Sequence, residues 1–109
     1  MVGEDAPDLL AELLPLFFED AGLLLDSLQE AVVDENAEAI QQAAHTLKGS
    51  SANLGMTRLS SLCLELETIG RKGDLAGAND KFAGVVREYE RIKEATMARQ
   101  AAAPLINRC

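Results

Sequence analysis

Tryptophan is absent from this 109-residue sequence, and aromatic residues as a class are scarce, with one tyrosine and three phenylalanines. Basic residues are also few, since 10 Lys and Arg stand against 18 Asp and Glu and give a formal net charge of −8 at pH 7. Phosphate backbones and anionic lipid headgroups repel a protein this acidic. Base stacking also needs more aromatic rings than are present. The composition therefore argues against binding to nucleic acid or to a membrane surface.

Cysteine is the next scarce residue. Cys63 and Cys109 are the only two, and neither belongs to a CxxC motif or to a Cys/His spacing that binds metal. Cys63 lies within an apolar pattern, whereas Cys109 is the last residue of the sequence. We therefore predict two separate free thiols, with Cys63 in the core, and no metal or cofactor bound by the chain itself.

A signal peptide and long apolar runs are missing as well. The stretch 1–5 is acidic, unlike the basic start of a signal peptide, and no apolar run approaches the ~20 residues of a membrane span. We expect a cytoplasmic protein, or a cytoplasmic part of a larger one. The length allows one domain over 1–109, with a core at about 8–98 and a frayed C-terminal tail at about 101–104.

Four segments show the helical spacing of apolar residues. In each segment they recur at steps of three and four, and no stretch alternates with the period of two that is typical of a strand. The four apolar stripes are Phe17, Ala21, Leu24, Leu28 and Val32; Ile40, Ala44, Leu47, Ser51 and Leu54; Leu59, Leu62, Cys63, Leu66 and Ile69; and Ala78, Phe82, Val85, Tyr89 and Ile92.

Short breaks separate these stripes. Asn36 is a candidate N-cap, Gly55 can adopt the left-handed conformation that ends a helix, and Thr57 can cap the next one. Pro15 either begins the main first helix or kinks a longer one. Because short connections favour antiparallel neighbours, we predict an all-α fold, an up-down-up-down antiparallel four-helix bundle with a short N-terminal helical extension.

His45 is the only histidine, and it lies in the second helical segment. The apolar stripe of that segment is centred roughly 140° around the helix from His45, so the imidazole is predicted to point into solvent. Lys48 and Gly49 follow one turn later on the same face. A glycine inside a helix costs about 0.5–1 kcal/mol relative to alanine, which indicates that something needs close access to the ring.

Acidic residues are missing around this histidine. Residues 39–64 contain Lys48 and Arg58 but no Asp or Glu, so this window carries +2 and the rest of the chain −10. Such a window suits a group that becomes negatively charged. Neutral imidazole is a competent nucleophile near pH 7, and a phosphoryl group brings negative charge and several acceptor oxygens.

The stretch His45–Gly55, HTLKGSSANLG, resembles the signature of the histidine-containing phosphotransfer (HPt) domain of multistep phosphorelays. The resemblance implies that His45 is phosphorylated on its outward ring nitrogen, that Lys48 stabilises the phosphoryl oxygens, and that Gly49 leaves room for the partner. The likeness extends over nearly the whole chain, through Leu59, Cys63, Leu66, Glu67, Gly73, Asp74 and Tyr89.

The same resemblance implies a phosphoryl carrier. Such a domain exchanges phosphoryl groups with an aspartate on the receiver domain of a response regulator, and the receiver brings the Mg²⁺ and most catalytic groups. The chain has no room for ATP-binding machinery, so autokinase activity is not expected. It either stands alone or forms the end of a hybrid sensor kinase.

Two regions are predicted to dock the receiver, and the protein itself is expected to be a monomer. Leu16 and Leu23 share an outward flank of the first helix and would form an apolar patch beside His45. Alternatively, this flank packs against the N-terminal extension. The other candidates lie on either side of His45 in sequence: Gln41, Gln42, Ala52 and Met56.

Other site chemistries fit the sequence less well. A di-metal bundle would need Glu-x-x-His pairs, but residue 42 is Gln and there is no second histidine. Lys48, Gly49 and Ser50 reverse the order of a phosphate-binding loop. A hydrolase triad is disfavoured because no acidic residue lies within several turns of His45. The alternative that stays open is a helical protein-interaction module of the same fold without phosphotransfer.

Overall fold

Four helices make up the protein. The computed structural model describes the backbone of residues 2–108 and the side chains of residues 12–98. The helices are α1 (Val2–Val33), α2 (Ala37–Asn53), α3 (Thr57–Lys72) and α4 (Ala78–Arg108), and residues 2–108 contain no strand. Each helix packs against the next, and α1 also packs against α4. The predicted all-α four-helix bundle is confirmed.

The two outer helices are longer than the sequence predicts. No break separates an N-terminal extension from the main first helix, because α1 runs through Pro15. Pro15 is exposed, so water can bind the carbonyl that lacks an N–H partner. At the other end, α4 continues to Arg108 through 101–104, where fraying is predicted. Three consecutive alanines favour a helix there, since alanine has the highest helix propensity.

The core follows the predicted stripes with one shift. Leu25 is buried and Leu24 is only partly buried, although the periodicity places Leu24 inward. The Tyr89 hydroxyl donates to the Phe18 carbonyl at 3.0 Å and joins α4 to α1.

Cys63 is buried as predicted, and burial raises the pKa of its thiol to about 12. Cys109 lies outside the described residues. None of the described helices is long and apolar enough to cross a membrane.

The predicted helix ends are correct at two positions and wrong at a third. The Asn36 side chain caps α2 by accepting from the Ala39 N–H at 3.1 Å. Gly55 has a φ of 77°, the left-handed conformation that favours glycine. Thr57 does not cap α3, because the helix begins at Thr57 itself and Met56 precedes it without a side-chain cap.

Gly70 sets the spacing between α2 and α3. A Cβ atom at this position would lie 2.7 Å from the Gln41 nitrogen and 2.8 Å from the Ala37 oxygen. Real side chains do not approach a backbone so closely, so only glycine allows this contact between the two helices. The close approach lies one turn of α2 before His45 and one turn of α3 after Glu67. It therefore brings those two side chains together.

Candidate functional site

His45 lies on the outer side of α2 where α2 meets α3. Its side chain is 66% exposed, as the helical spacing predicts, and the Nδ1 atom is 2.9 Å from Oε2 of Glu67. An ionised carboxylate can only accept a hydrogen bond. Nδ1 of the neutral ring must therefore carry the hydrogen, which leaves the lone pair on Nε2. The structure thus holds one ring nitrogen inside the protein and leaves the other as a nucleophile.

Glu67 is the buried anion of the site, with a side chain only 7% exposed. Lys48 Nζ lies 2.9 Å from Oε1, and Arg71 Nη2 lies 3.6 Å from Oε2. The contact with Lys48 is the main reason that the pKa of Glu67 lies below its ordinary value; burial opposes the shift and the bond from His45 adds to it. The carboxylate is therefore charged near neutral pH, and it accepts the hydrogen from His45.

The position of Glu67 follows from the pattern of α3. Leu59, Cys63 and Leu66 form the buried stripe of the helix, and Glu67 continues this face toward Gly70. A charged residue on an apolar stripe is rarely buried without a partner. That mismatch is the sequence signal that could have identified Glu67 as a site residue. The resemblance includes Glu67, but no role is predicted for it.

The prediction that no acidic residue approaches His45 is wrong. It considers only neighbours along α2, whereas Glu67 reaches the ring from α3. A histidine–carboxylate pair is therefore present, but a hydrolase triad also needs a nucleophilic hydroxyl or thiol bonded to the histidine. Within residues 12–98, no Ser, Thr or Cys side chain forms a hydrogen bond with His45. The site has an accessible imidazole and no triad.

Lys48 and Gly49 differ in how the protein uses them. Lys48 is half-buried, and its ammonium group is paired with Glu67 instead of projecting freely from α2. Gly49 is exposed, and a Cβ atom there would meet no atom within 4 Å. The packing of this chain therefore does not require glycine at position 49. The open space beside His45 is available to another molecule.

The predicted docking residues lie in separate places. Gln41 and Gln42 line a cavity beside His45, together with Glu38, Thr46 and Glu67. At the far end of α2, Ala52 is exposed and Met56 is half-buried. The docking role of these four residues stays a prediction.

Leu16 and Leu23 are 59% and 64% exposed. The flank that they share therefore does not pack against a separate N-terminal extension, because the extension is the first part of the continuous helix α1. The cavity beside His45 has no α1 residue among its described lining, and Leu23 borders a groove between α1 and α4. The predicted patch is exposed, but it is not part of that cavity.

The described residues offer no obvious metal centre. No group of three or more His, Cys, Asp and Glu side chains within 12–98 is arranged to hold a metal ion. Glu67, the carboxylate nearest to His45, is already surrounded by Lys48 and Arg71. The buried Glu67 carboxylate therefore contacts one imidazole and two cations.

Comparisons with known proteins agree on one family. The family model described as "Hpt domain" matches residues 12–95. Histidine-containing phosphotransfer protein 2 of Arabidopsis thaliana is 29% identical over 93 residues, which cover 83% of this chain and 60% of that protein. Chemotaxis protein CheA of Borreliella burgdorferi is 37% identical over 94 residues, covering 76% of this chain and 11% of that protein.

A solved structure is also similar. The crystal structure of histidine-containing phosphotransfer protein B from Pseudomonas aeruginosa PAO1 matches with a TM-score of 0.77 and 31% identity. The match covers 91% of this chain and 84% of the other. The chain spans about 60% of the length of the plant phosphotransfer relatives that it matches.

Proposed function

The chain belongs to the Hpt domain family, and from this premise we propose that it relays a phosphoryl group between His45 and the aspartate of response-regulator receiver domains. One observation carries the proposal. The only histidine keeps Nδ1 bonded to a buried carboxylate and leaves Nε2 accessible. The names of the plant and bacterial relatives support the same reaction.

The transfer step can be written without a proton acceptor. The lone pair of Nε2 attacks the phosphorus of the receiver's aspartyl phosphate, the P–N bond forms, and the P–O bond to the aspartate breaks. The receiver carboxylate leaves with the electron pair, and the imidazole becomes a cation that still carries the hydrogen on Nδ1. Glu67 stabilises this cation through the 2.9 Å bond. The reverse transfer follows the same steps backwards.

Positioning and charge stabilisation account for most of phosphoryl-transfer catalysis. Lys48 supplies a cation next to Glu67, partly open to solvent, from which it can reach oxygens of a phosphoryl group on Nε2. Gly49 leaves open space for the receiver. We assign the Mg²⁺ to the receiver, because Glu67, the carboxylate bonded to His45, is already paired with Lys48.

As a carrier, the chain is proposed to accept and donate the phosphoryl group without kinase activity of its own. The carrier can be free-standing or a module of a hybrid sensor kinase. The second arrangement is included because the match covers only 11% of one relative, chemotaxis protein CheA. A monomeric state and a cytoplasmic location stay predictions. An interaction module without phosphotransfer is not favoured, because His45, Lys48 and Gly49 are all present and Nε2 is free to react.

The experiment is transfer from radiolabelled receivers. Receiver domains from the same organism, phosphorylated on aspartate, are mixed with the wild-type chain and with His45→Gln. We expect the wild-type chain to gain a label that is lost in acid and kept in base, as for phosphohistidine, and the variant to gain none. Because His45 donates to the buried Glu67 carboxylate, the variant's free energy of unfolding should fall by about 0.5–1.5 kcal/mol, the usual contribution of one hydrogen bond, and the protein should stay folded. Undiminished labelling of the variant would contradict the proposal.

A further inference from the structure

Glu67 has more partners than its two carboxylate oxygens need. His45 Nδ1 lies 2.9 Å from Oε2, Lys48 Nζ lies 2.9 Å from Oε1, and Arg71 Nη2 lies 3.6 Å from Oε2. The phosphotransfer step uses His45 and Lys48 and gives Arg71 no part. Because the imidazole and the ammonium already occupy both oxygens, Arg71 is in excess in the unphosphorylated chain.

Oε1 of Glu67 depends on Lys48. This oxygen is buried and accepts no aligned hydrogen bond within residues 12–98, so the ammonium 2.9 Å away is its nearest compensation. A buried carboxylate oxygen that loses its partner costs free energy, because water does not replace the lost contact. Lys48 therefore leaves Glu67 at low cost only if another cation closes on the carboxylate.

Phosphorylation of His45 attracts Lys48 away from that carboxylate. A phosphorylated side chain carries a charge of about −1.5 to −2 near pH 7, and Lys48 follows His45 by one turn on the same face of α2. The Lys48 side chain is 27% exposed, so its ammonium can turn toward the outer side of the imidazole. Hydrogen bonds between a charged donor and a phosphoryl oxygen are among the strongest in proteins. The phosphoryl group on Nε2 therefore competes with Glu67 for Lys48.

Arg71 is placed to take the position that Lys48 leaves. It follows Glu67 by one turn of α3, and its side chain is 54% exposed, so the guanidinium is free to move. At 3.6 Å from Oε2 it is just beyond hydrogen-bond distance, and a movement of less than about 1 Å would form the bond. The planar guanidinium can then bind both carboxylate oxygens, which a single ammonium group does less well.

We propose that Arg71 is a positioning residue for phosphotransfer, which closes on Glu67 when Lys48 turns to the phosphoryl oxygens of phosphorylated His45. This inference rests on the proposed phosphotransfer function, and no covalent bond changes beyond those of the transfer step. After the exchange, the phosphoryl group is paired with Lys48, and Glu67 is paired with Arg71 and the imidazolium. Arg71 thus allows Lys48 to serve the phosphoryl group without leaving a buried charge unpaired.

Arg71→Gln tests the proposal, and Lys72→Gln is the matched control. Lys72 is the neighbouring cation in the last turn of α3, and it is exposed and forms no ion pair among the described residues. The kcat/KM values for transfer in both directions are measured with the receiver that transfers fastest to the wild-type chain. Their ratio is the equilibrium constant for phosphorylating His45. A contact between Arg71 and the receiver cancels in this ratio, because both directions pass through the same complex.

We expect Arg71→Gln to shift this ratio about ten-fold toward the phosphorylated receiver, because the phosphorylated chain loses a charge-assisted hydrogen bond. Lys72→Gln should stay within about two-fold of wild type. In Glu67→Gln the buried anion is gone, so adding Arg71→Gln should change the ratio by less than about two-fold. Equal effects of the two single variants would overturn the proposal. So would an undiminished effect of Arg71→Gln in the Glu67→Gln background, because Arg71 would then contact the phosphoryl group itself.

Thermal unfolding of the unphosphorylated chain tests the exchange of partners without transfer. With Lys48 present, Arg71→Gln should lower the Tm by no more than about 3 °C, since Arg71 is then in excess. In the Lys48→Gln background the same change leaves Glu67 without a cation and should lower the Tm by about 8 °C or more. Equal losses in the two backgrounds would show that Arg71 does not replace Lys48, and the proposal would be wrong.

Labelling by phosphoramidate, a small phosphoryl donor that needs no docking surface, distinguishes the two proposals. If the wild-type chain accepts label at His45 from phosphoramidate and from receivers, but Arg71→Gln and Lys72→Gln give equal ratios, only the Arg71 proposal fails. If the wild-type chain accepts label from neither source, the phosphotransfer function fails and the Arg71 proposal fails with it.

Discussion

The hydrogen bond to Glu67 makes the two ring nitrogens of His45 chemically different. The 2.9 Å bond holds the hydrogen on Nδ1 and faces it into the protein, so the reactive lone pair faces out. A carboxylate in this position does more than orient the ring, because it also compensates the positive charge that the ring gains when Nε2 is phosphorylated. Glu67 is thus a positioning residue that acts through His45.

Replacing Glu67 should change both the tautomer and the rate. In Glu67→Ala the imidazole loses its acceptor, so we expect the preference for hydrogen on Nδ1 to disappear and transfer to slow by about 10–100-fold. Nitrogen chemical shifts of the His45 ring report the tautomer, and receiver-transfer kinetics report the rate. A slower rate with an unchanged tautomer would contradict the positioning role, since it would indicate general damage to the fold. Wild-type kinetics would contradict it as well.

A larger side chain at position 49 tests whether the partner needs the open space beside the imidazole. A Cβ atom added at this position meets no atom of the protein within 4 Å. A leucine there should make α2 more stable by up to about 1 kcal/mol, because glycine is a poor helix former. We expect Gly49→Leu to keep phosphoramidate labelling of His45 and to lose transfer from receivers. Thermal unfolding and the two labelling reactions check this result. Transfer at the wild-type rate would show that the partner does not need that space.

At the scale of the helices, the α2–α3 pair determines the site. The sequence predicts α2 and α3 and the outward placement of His45, because each depends on spacing within one helix. It does not predict the bond to Glu67, which depends on how closely two helices approach. Gly70 allows this close approach, but the need for glycine at that position is visible only from the distances to the backbone of α2. Leu24 and Leu25 show the same limit, because periodicity cannot distinguish two adjacent leucines at the edge of a stripe.

Gly70→Ala should therefore damage the site through the backbone. The added Cβ atom would lie under 3 Å from backbone atoms of α2, and we expect a loss of about 1–3 kcal/mol in the free energy of unfolding. The two helices would also separate, so transfer should slow even in fully folded protein.

Gly84→Ala is the matched control for this variant. Gly84 lies in α4, and its nearest contact for an added Cβ is an arginine side-chain nitrogen at 3.9 Å. Alanine should stabilise that helix by about 0.5–1 kcal/mol and leave transfer unchanged. Equal stability of the two variants would contradict the tight α2–α3 contact.

At the scale of the whole molecule, acid stability depends on buried carboxylates. Glu67 has a pKa below its ordinary value of 4.5 because of Lys48 and His45. A lowered pKa in the folded state contributes stability that is fully present above the unfolded-state pKa and is lost as the pH falls through the folded-state pKa.

We therefore expect the difference in unfolding free energy between wild type and Glu67→Gln to shrink as the pH falls below about 4.5. Chemical denaturation at several pH values measures this difference. Glu88, whose pKa is also lowered, mainly by Arg91, is present in both proteins and so does not affect the comparison. A difference that grows in acid would show that Glu67 is not held as a stabilised anion.

We expect Nε2 of His45 to receive the phosphoryl group while Nδ1 stays bonded to Glu67. Phosphorus and nitrogen NMR of the ¹⁵N-labelled chain, phosphorylated by its receiver, tests both parts at once. The expected result is one phosphorus signal coupled to Nε2 of His45 and a hydrogen retained on Nδ1. Phosphorus coupled to Nδ1, or a phosphorylated chain without any phosphorus–nitrogen coupling, would contradict it.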